Sequence, residues 1–330
     1  MPAVLAAALN LTSLPLYMPP QEHADVNMDS PGPAAFLEEN AMLIAIGAIC
    51  VIAVIAACFV IGSRRRRSSF TEIAVANPSD AGGVIAVNIQ GAGARESQQD
   101  SLGITDVTDT SRGVFAVIAD GMGGMADGAE ISRIVTSQML HMFQSSHPGP
   151  DADIAAMLLY MVHDAQDRAR EFIEQNGGEQ GGSTVVSAIV KDGGLYFMSV
   201  GDSRICLLRS GALIQLNREH TFASELNERA VRGEITLAEA RNDPHRGSLT
   251  SYIGMDDKLE VDGNMRPIPI IVGDRIVLMS DGVFGTLSDA ELTQLAGVEN
   301  VFEAGFAIEQ AIISKQKPDQ DNFSAILLAF

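Results

Sequence analysis

Residues 114–130 read VFAVIADGMGGMADGAE. A short apolar run leads to Asp120, glycines follow at 121, 123, 124 and 128, and helical periodicity begins at Ala129. A glycine-rich turn between strand and helix has two readings. Gly121, Gly123 and Ala126 fit G-x-G-x-x-A, the turn that cradles a dinucleotide pyrophosphate. Alternatively, Asp120 is an oxygen ligand at a strand end and the glycines only let the backbone pack closely. A dinucleotide unit needs a second parallel strand about 20 residues on, ending in an acid for the ribose. That position falls near His141, inside the helical pattern, so no dinucleotide is expected.

The surrounding pattern agrees. Ser183–Val190 and Leu195–Val200 flank KDGG, and Arg204–Leu208 and Ala212–Leu216 flank RSG, so both pairs predict hairpins and an antiparallel sheet. Helical spacing recurs over Ala129–Phe143, Asp153–Gln175, Ser288–Leu295 and Val301–Lys315. These helices come in blocks between strand blocks, which predicts an α+β fold and not an alternating doubly wound one.

Upstream, Ala41–Gly62 (AMLIAIGAICVIAVIAACFVIG) carries no charge. At about 1.5 Å per residue it reaches across a hydrocarbon core of about 30 Å, and we expect a transmembrane helix. Arg64–Arg67 follow directly, whereas residues 1–40 hold Glu22, Asp25, Asp29, Glu38 and Glu39 and no Lys or Arg. The positive-inside rule then predicts a single-pass protein of the inner membrane. Residues 1–40 form a short extracytoplasmic tail, 63–82 a basic juxtamembrane linker and 83–330 one cytoplasmic domain. Cys50 and Cys58 sit in the span and Cys206 in an apolar strand, so no disulfide framework or CxxC site is expected. With 42 acids against 22 basic residues, the net charge of −20 speaks against a nucleic-acid partner.

Aspartates follow or precede apolar strands throughout the domain: Asp100, Asp120, Asp202, Asp281 and Asp321. A single Asp-Gly pair is ordinary turn chemistry. Five acids at strand ends are a pattern, because a sheet end can converge them, and converged carboxylates repel unless protons or cations lie between them. Oxygen ligands of this kind suit Mg²⁺ or Mn²⁺.

Seven motifs stand in order over Ile85–Phe330: Arg95-x-x-Gln98-Gln99-Asp100, Asp120-Gly121-Met122-Gly123-Gly124, Gly182-Ser183-Thr184, Gly201-Asp202-Ser203-Arg204, Leu249-Thr250 to Gly254, Ser280-Asp281-Gly282 and Asp321-Asn322. With them the chain resembles the metal-dependent PP2C-type (PPM) protein serine/threonine phosphatases, most closely the bacterial ones. The resemblance implies an α/β/β/α sandwich of two mostly antiparallel sheets flanked by helices, here preceded by the membrane span. It implies two Mn²⁺ or Mg²⁺ ions bridged by Asp120, one also taking the Gly121 carbonyl and the other completed by Asp281 and Asp321. A weaker third ion would lie at Asp202 with Asp281. Arg95 would grip the substrate phosphate, and Asp100 and Gln99 would stand behind the metals and their waters. Attack by a metal-bridging hydroxide would then release phosphate from phosphoserine or phosphothreonine. The implied partners are phosphorylated proteins, substrates of a Ser/Thr protein kinase.

Three positions differ from the family pattern. Gln98-Gln99 stands where Asn-Glu is common, Met122 where many eukaryotic members have His, and Ser251 where relatives often carry Arg. The acid that protonates the leaving oxygen is therefore open between His220, His245 and a metal-bound water. The competing reading is a phosphatase-like binding or regulatory module. It would lack a core aspartate, and Asp120, Asp281 and Asp321 are all present.

Overall fold

The computed structural model describes residues 71–75 and 83–330, except 110, 124–126, 147, 149–152 and 178–180. Among these residues no helix is long and apolar enough to cross a membrane; the expected span at 41–62 lies outside them, as does the linker expected at 63–82 except for residues 71–75, which form a strand.

One sheet contains β1 (Thr71–Val75), β2 (Ile85–Gly91), β8 (Arg204–Arg209), β9 (Ala212–Gln215), β12 (Arg275–Met279) and β13 (Phe323–Ala329), in the order β1-β2-β13-β12-β8-β9. The other contains β3 (Asp100–Ile104), β4 (Val114–Met122), β6 (Val185–Lys191), β7 (Gly194–Val200) and β10 (Asp262–Gly263), in the order β10-β7-β6-β4-β3. Two short strands complete it: β5 (Gly182–Ser183) pairs with β4, and β11 (Ile268–Pro269) with β7. Each of these pairings is antiparallel, as the hairpin signals predicted.

Strand alternation explains the layering. On β4, Phe115, Val117 and Ala119 face the helices α1 (Asp127–Ser145) and α2 (Ile154–Gln175). Val114, Ala116 and Ile118 turn the other way, onto Ile205, Leu207, Ile276, Leu278, Ile326 and Leu328 of the facing sheet. A strand buried on both faces reads as a continuous apolar run, which is why VFAVIA looks unlike a surface strand. The outer face of the first sheet packs on α6 (Asp289–Ala296) and α7 (Val301–Ser314). The result is the α/β/β/α sandwich, with three apolar layers and about 1.5–3 kcal/mol from each fully buried large side chain.

The helices follow their sequence signals. Ile131, Val135, Met139 and Phe143 recur every fourth residue and give α1 its buried stripe. Asp153 caps α2 by accepting from Ala156 N at 2.9 Å, and Ser288 and Glu291 form a capping box on α6. Two helices were not expected from periodicity: α3 (Phe222–Val231) and α4 (Leu237–Asn242), in the segment before Leu249-Thr250. Each buries one residue, Leu226 or Ala240, so neither shows an apolar stripe. A further correction concerns Asp281. It is not a strand end but the first residue of α5 (Asp281–Phe284), two residues beyond β12.

Candidate active site

Asp100 and Asp120 lie in β3 and β4, Asp202 and Asp281 stand two residues past β7 and β12, and Asp321 two residues before β13; their charges meet at Asp120. Asp100 and Asp120 are direct partners across the β3–β4 ladder. Ser280, between β12 and Asp281, reaches across the two sheets: its hydroxyl donates to Asp100 Oδ2 at 2.8 Å and accepts from Ser324 N at 3.0 Å. Ser280 stands at the N-cap of α5 yet makes no side-chain cap, because its hydroxyl is used in this bridge.

Asp120 is fixed through its backbone. Its N–H donates to Thr184 Oγ1 at 3.1 Å, and its carbonyl accepts from Thr184 N at 2.8 Å and Ser183 Oγ at 3.0 Å. Thr184 Oγ1 in turn meets Ser203 Oγ at 2.8 Å. Ser183 and Ser203 are buried and engaged in this lattice, so both brace the turn. Gly121 passes so close to α1 that a Cβ would lie 2.1 Å from the Gly128 carbonyl, which only glycine avoids. Gly124 lies outside the described residues, and Asp127 is the first helical residue of α1.

Electrostatics bind the acids into one group. Burial, then the charges of Asp100, Asp281, Asp202 and Asp321, hold the Asp120 carboxyl well above the usual range. Burial and then Asp321 raise Asp281. Asp202 is pushed up to about 7, first by burial and then by Asp281. Asp100 rises to about 6 through burial, against the hydrogen bond from Ser280. Two carboxylate oxygens, Asp100 Oδ1 and Asp281 Oδ1, are buried with no hydrogen-bond partner. An orphaned buried carboxylate oxygen costs about 1–3 kcal/mol or more, and a cation is the partner that relieves it. A donor set made only of oxygens fits a hard dication.

Arg95 departs from the expectation that its guanidinium stands open for a phosphate. Its Nη2 pairs with Asp321 Oδ2 at 2.7 Å, with the charges of Asp281 and Asp120 adding to the attraction. Asp321 is thus engaged by arginine, and among the described residues no group of three or more Asp, Glu, His or Cys side chains stands in finished metal-holding geometry.

Other expectations resolve locally. His220 is buried and its Nδ1 accepts from Gly201 N at 3.1 Å; burial lowers its pKa, so it serves as a neutral clip on the Gly201–Asp202 turn. His245 is exposed. Ser251 is fully buried, accepting from Glu260 N at 2.9 Å and donating to its carbonyl at 3.1 Å, and so is a loop brace. Gln98 Oε1 accepts from Asp100 N at 3.0 Å, and the Gln99 carbonyl accepts from Ser132 Oγ at 2.5 Å and Gly121 N at 3.1 Å. Ser280 and Asn322 stand in the sequence motifs without a role there, and sequence reasoning overlooked Ser324 and Gln320. The only available signal was their position near Asp321.

Two antiparallel sheets between helices carry mutually repelling carboxylates at one edge, an oxygen-only set that would suit a hard dication. The chain belongs to the protein phosphatase 2C family, whose pattern matches residues 92–320. It is 29% identical over 207 residues to the serine/threonine protein phosphatase PstP of Mycobacterium tuberculosis, a stretch covering 61% of this chain and 38% of that protein, under two fifths of its length. It is 27% identical over 203 residues to the serine/threonine phosphatase stp of Listeria innocua, covering 61% of this chain and 78% of that one. Among solved structures, the catalytic domain of PstP in complex with two manganese ions superposes with a TM-score of 0.61 at 23% identity, over 74% of this chain and 97% of that one.

Proposed function

We propose that this protein removes phosphate from phosphoserine and phosphothreonine in proteins, with two bound dications, Mn²⁺ or Mg²⁺. The observation that carries the reading is the mutually repelling group of Asp100, Asp120, Asp202 and Asp281, with its two orphaned buried oxygens. Family membership and a relative solved with two manganese ions support it.

Asp120, the Gly121 carbonyl, Asp281 and Asp321 would hold the two ions, and Asp202 with Asp281 a weaker third. Bound dications supply an ionised water at neutral pH and offset the charge of the phosphoryl group. The rest falls to the chain. Burial and neighbouring acids oppose charge on Asp120 and Asp281, so ion binding and their ionisation would be one event. Ser280 keeps the Asp100 carboxylate aimed along a fixed direction behind Asp120. Arg95, once parted from Asp321, presents a planar pair of donors that suits a phosphate. Residues 41–62 would tether the domain to the inner membrane, with the catalytic domain in the cytoplasm.

The purified chain is tested on a phosphothreonine peptide and a phosphotyrosine peptide with Mn²⁺. Hydrolysis of the first, lost in Asp281→Asn, is expected; equal rates for the variant and the natural chain would overturn the metal assignment.

A further inference from the structure

Asp321 lies between two buried amides that face opposite ways. Asn322 is 3% exposed, and its side chain spends every group on the loop that carries Arg95. Nδ2 donates to the carbonyls of Ala92 at 2.9 Å and Ser97 at 3.0 Å, and Oδ1 accepts from Gln99 N at 2.7 Å. Gln320 is 7% exposed and spends its amide on the other side. Nε2 donates to the carbonyls of Gly282 at 3.0 Å and Asp321 at 3.2 Å, and Oε1 accepts from Thr286 Oγ1 at 2.7 Å. Gly282 follows Asp281 on α5, and a Cβ there would sit 1.9 Å from the Asn322 carbonyl, so the two segments already touch.

We propose that Asn322 is a positioning residue for Arg95, and Gln320 for Asp281 against Asp321. The inference rests on the phosphatase reading above. Arg95 is 59% exposed and makes one side-chain contact, to Asp321. A long exposed arginine carries about 2 kcal/mol of rotamer entropy, so its reach is set by where the backbone places its Cα. That backbone is tied by the Asn322 amide at residues 92, 97 and 99, and by Ala94 N donating to the Gln320 carbonyl at 2.8 Å. Only a primary amide supplies two donors and an acceptor in one plane. A carboxylate at 322 would face two carbonyls without a proton, and a hydroxyl, with one proton, could meet only one of those carbonyls.

The Gln320 amide acts on other atoms. It ties the first turn of α5 to the strand start, fixing the separation of Asp281 and Asp321. Loosening it leaves Arg95 where it is and relaxes the spacing of two acids expected to share ions. The two amides therefore divide the site between substrate and metal.

Asn322→Ser, Asn322→Asp and Gln320→Met are measured in the full chain, with cooperative unfolding as the check on folding. For Asn322→Ser, KM for p-nitrophenyl phosphate at saturating Mn²⁺ rises about fivefold or more, and calorimetric Mn²⁺ affinity stays within about twofold. In an Arg95→Ala background the same substitution changes KM by less than about twofold, because the residue through which it acts is gone. For Gln320→Met the pattern inverts: Mn²⁺ binds about fivefold more weakly, and KM at saturating Mn²⁺ is kept. Folded Asn322 variants with unchanged KM, a full Asn322 effect without Arg95, or unchanged Mn²⁺ affinity in Gln320→Met would each overturn the proposal. Failure of the natural chain to hydrolyse the ester overturns the phosphatase reading alone. The loop is then read by hydrogen exchange at Ala94–Gln99, which both Asn322 substitutions must accelerate and Gln320→Met must not.

Discussion

Arg95 and Asp321, 226 residues apart in sequence, form an ion pair of 2.7 Å that joins the expected phosphate-binding residue to an expected metal ligand. The side chains are 59% and 41% exposed. An exposed pair contributes at most about 1 kcal/mol, so a dication can displace the guanidinium and free it for the substrate.

Arg95→Ala separates the two roles. With Asp321 released, Mn²⁺ should bind about two- to fivefold more tightly, the equivalent of up to about 1 kcal/mol. KM for a phosphothreonine peptide should rise about tenfold through loss of the phosphate contact. Calorimetry and initial rates read the two effects on one preparation; weaker Mn²⁺ binding would show that the pair supports the metal site.

Asp120→Asn tests the cost of crowding acids. Asp120 meets burial and the charges of four neighbouring aspartates. A neutral isostere should raise the melting temperature of the EDTA-treated protein while lowering kcat by about 100-fold or more. A lower melting temperature would mean that the carboxylate stabilises the fold without a cation.

Gly121→Ala places a Cβ 2.1 Å from the Gly128 carbonyl, where β4 passes the start of α1. Backbone atoms cannot swing aside as a side-chain tip can, so the strain should cost about 1–3 kcal/mol in urea unfolding. An unchanged midpoint would show that the approach of strand to helix is looser than this.

Arg209 and Asp274 make a two-point ion pair at 2.9 and 2.5 Å, with the Asp274 side chain 1% exposed. The hydrogen bonds from Arg209 hold Asp274 below its ordinary 3.8. A depressed carboxylate pKa contributes stability above the unfolded value and loses it as pH falls through the folded one. Arg209→Ala should therefore lower the urea midpoint at pH 6, by less than the loss of a fully buried pair would, because Arg209 is open to solvent. The gap to the natural chain should narrow below pH 3.8. A constant gap across that range would place the loss in packing and not in charge.

The strands and long helices were legible because their apolar spacing is dictated by burial on known faces: VFAVIA alternates between two cores, and Ile131, Val135, Met139 and Phe143 line one stripe. The helices α3 and α4 were not, since each hides one side chain and otherwise meets water. Their one local signal was the capping box at Thr236 and Glu239. The acids were visible as residues at strand ends, but their engagement was not. That Arg95 pairs with Asp321, that Ser280 joins Asp100 across two sheets, and that Asn322 holds the loop at 92–99 depend on contacts 180 to 230 residues apart in sequence.

The central claim is that the acidic edge is a dication site that drives phosphate release. Its most direct test is a titration of the EDTA-treated full chain with Mn²⁺, following p-nitrophenyl phosphate hydrolysis and heat of binding together. Activity absent without metal, returning in step with the binding isotherm and lost in Asp281→Asn, is the predicted result. Hydrolysis that persists in EDTA, or Mn²⁺ binding unchanged by Asp281→Asn, would contradict it.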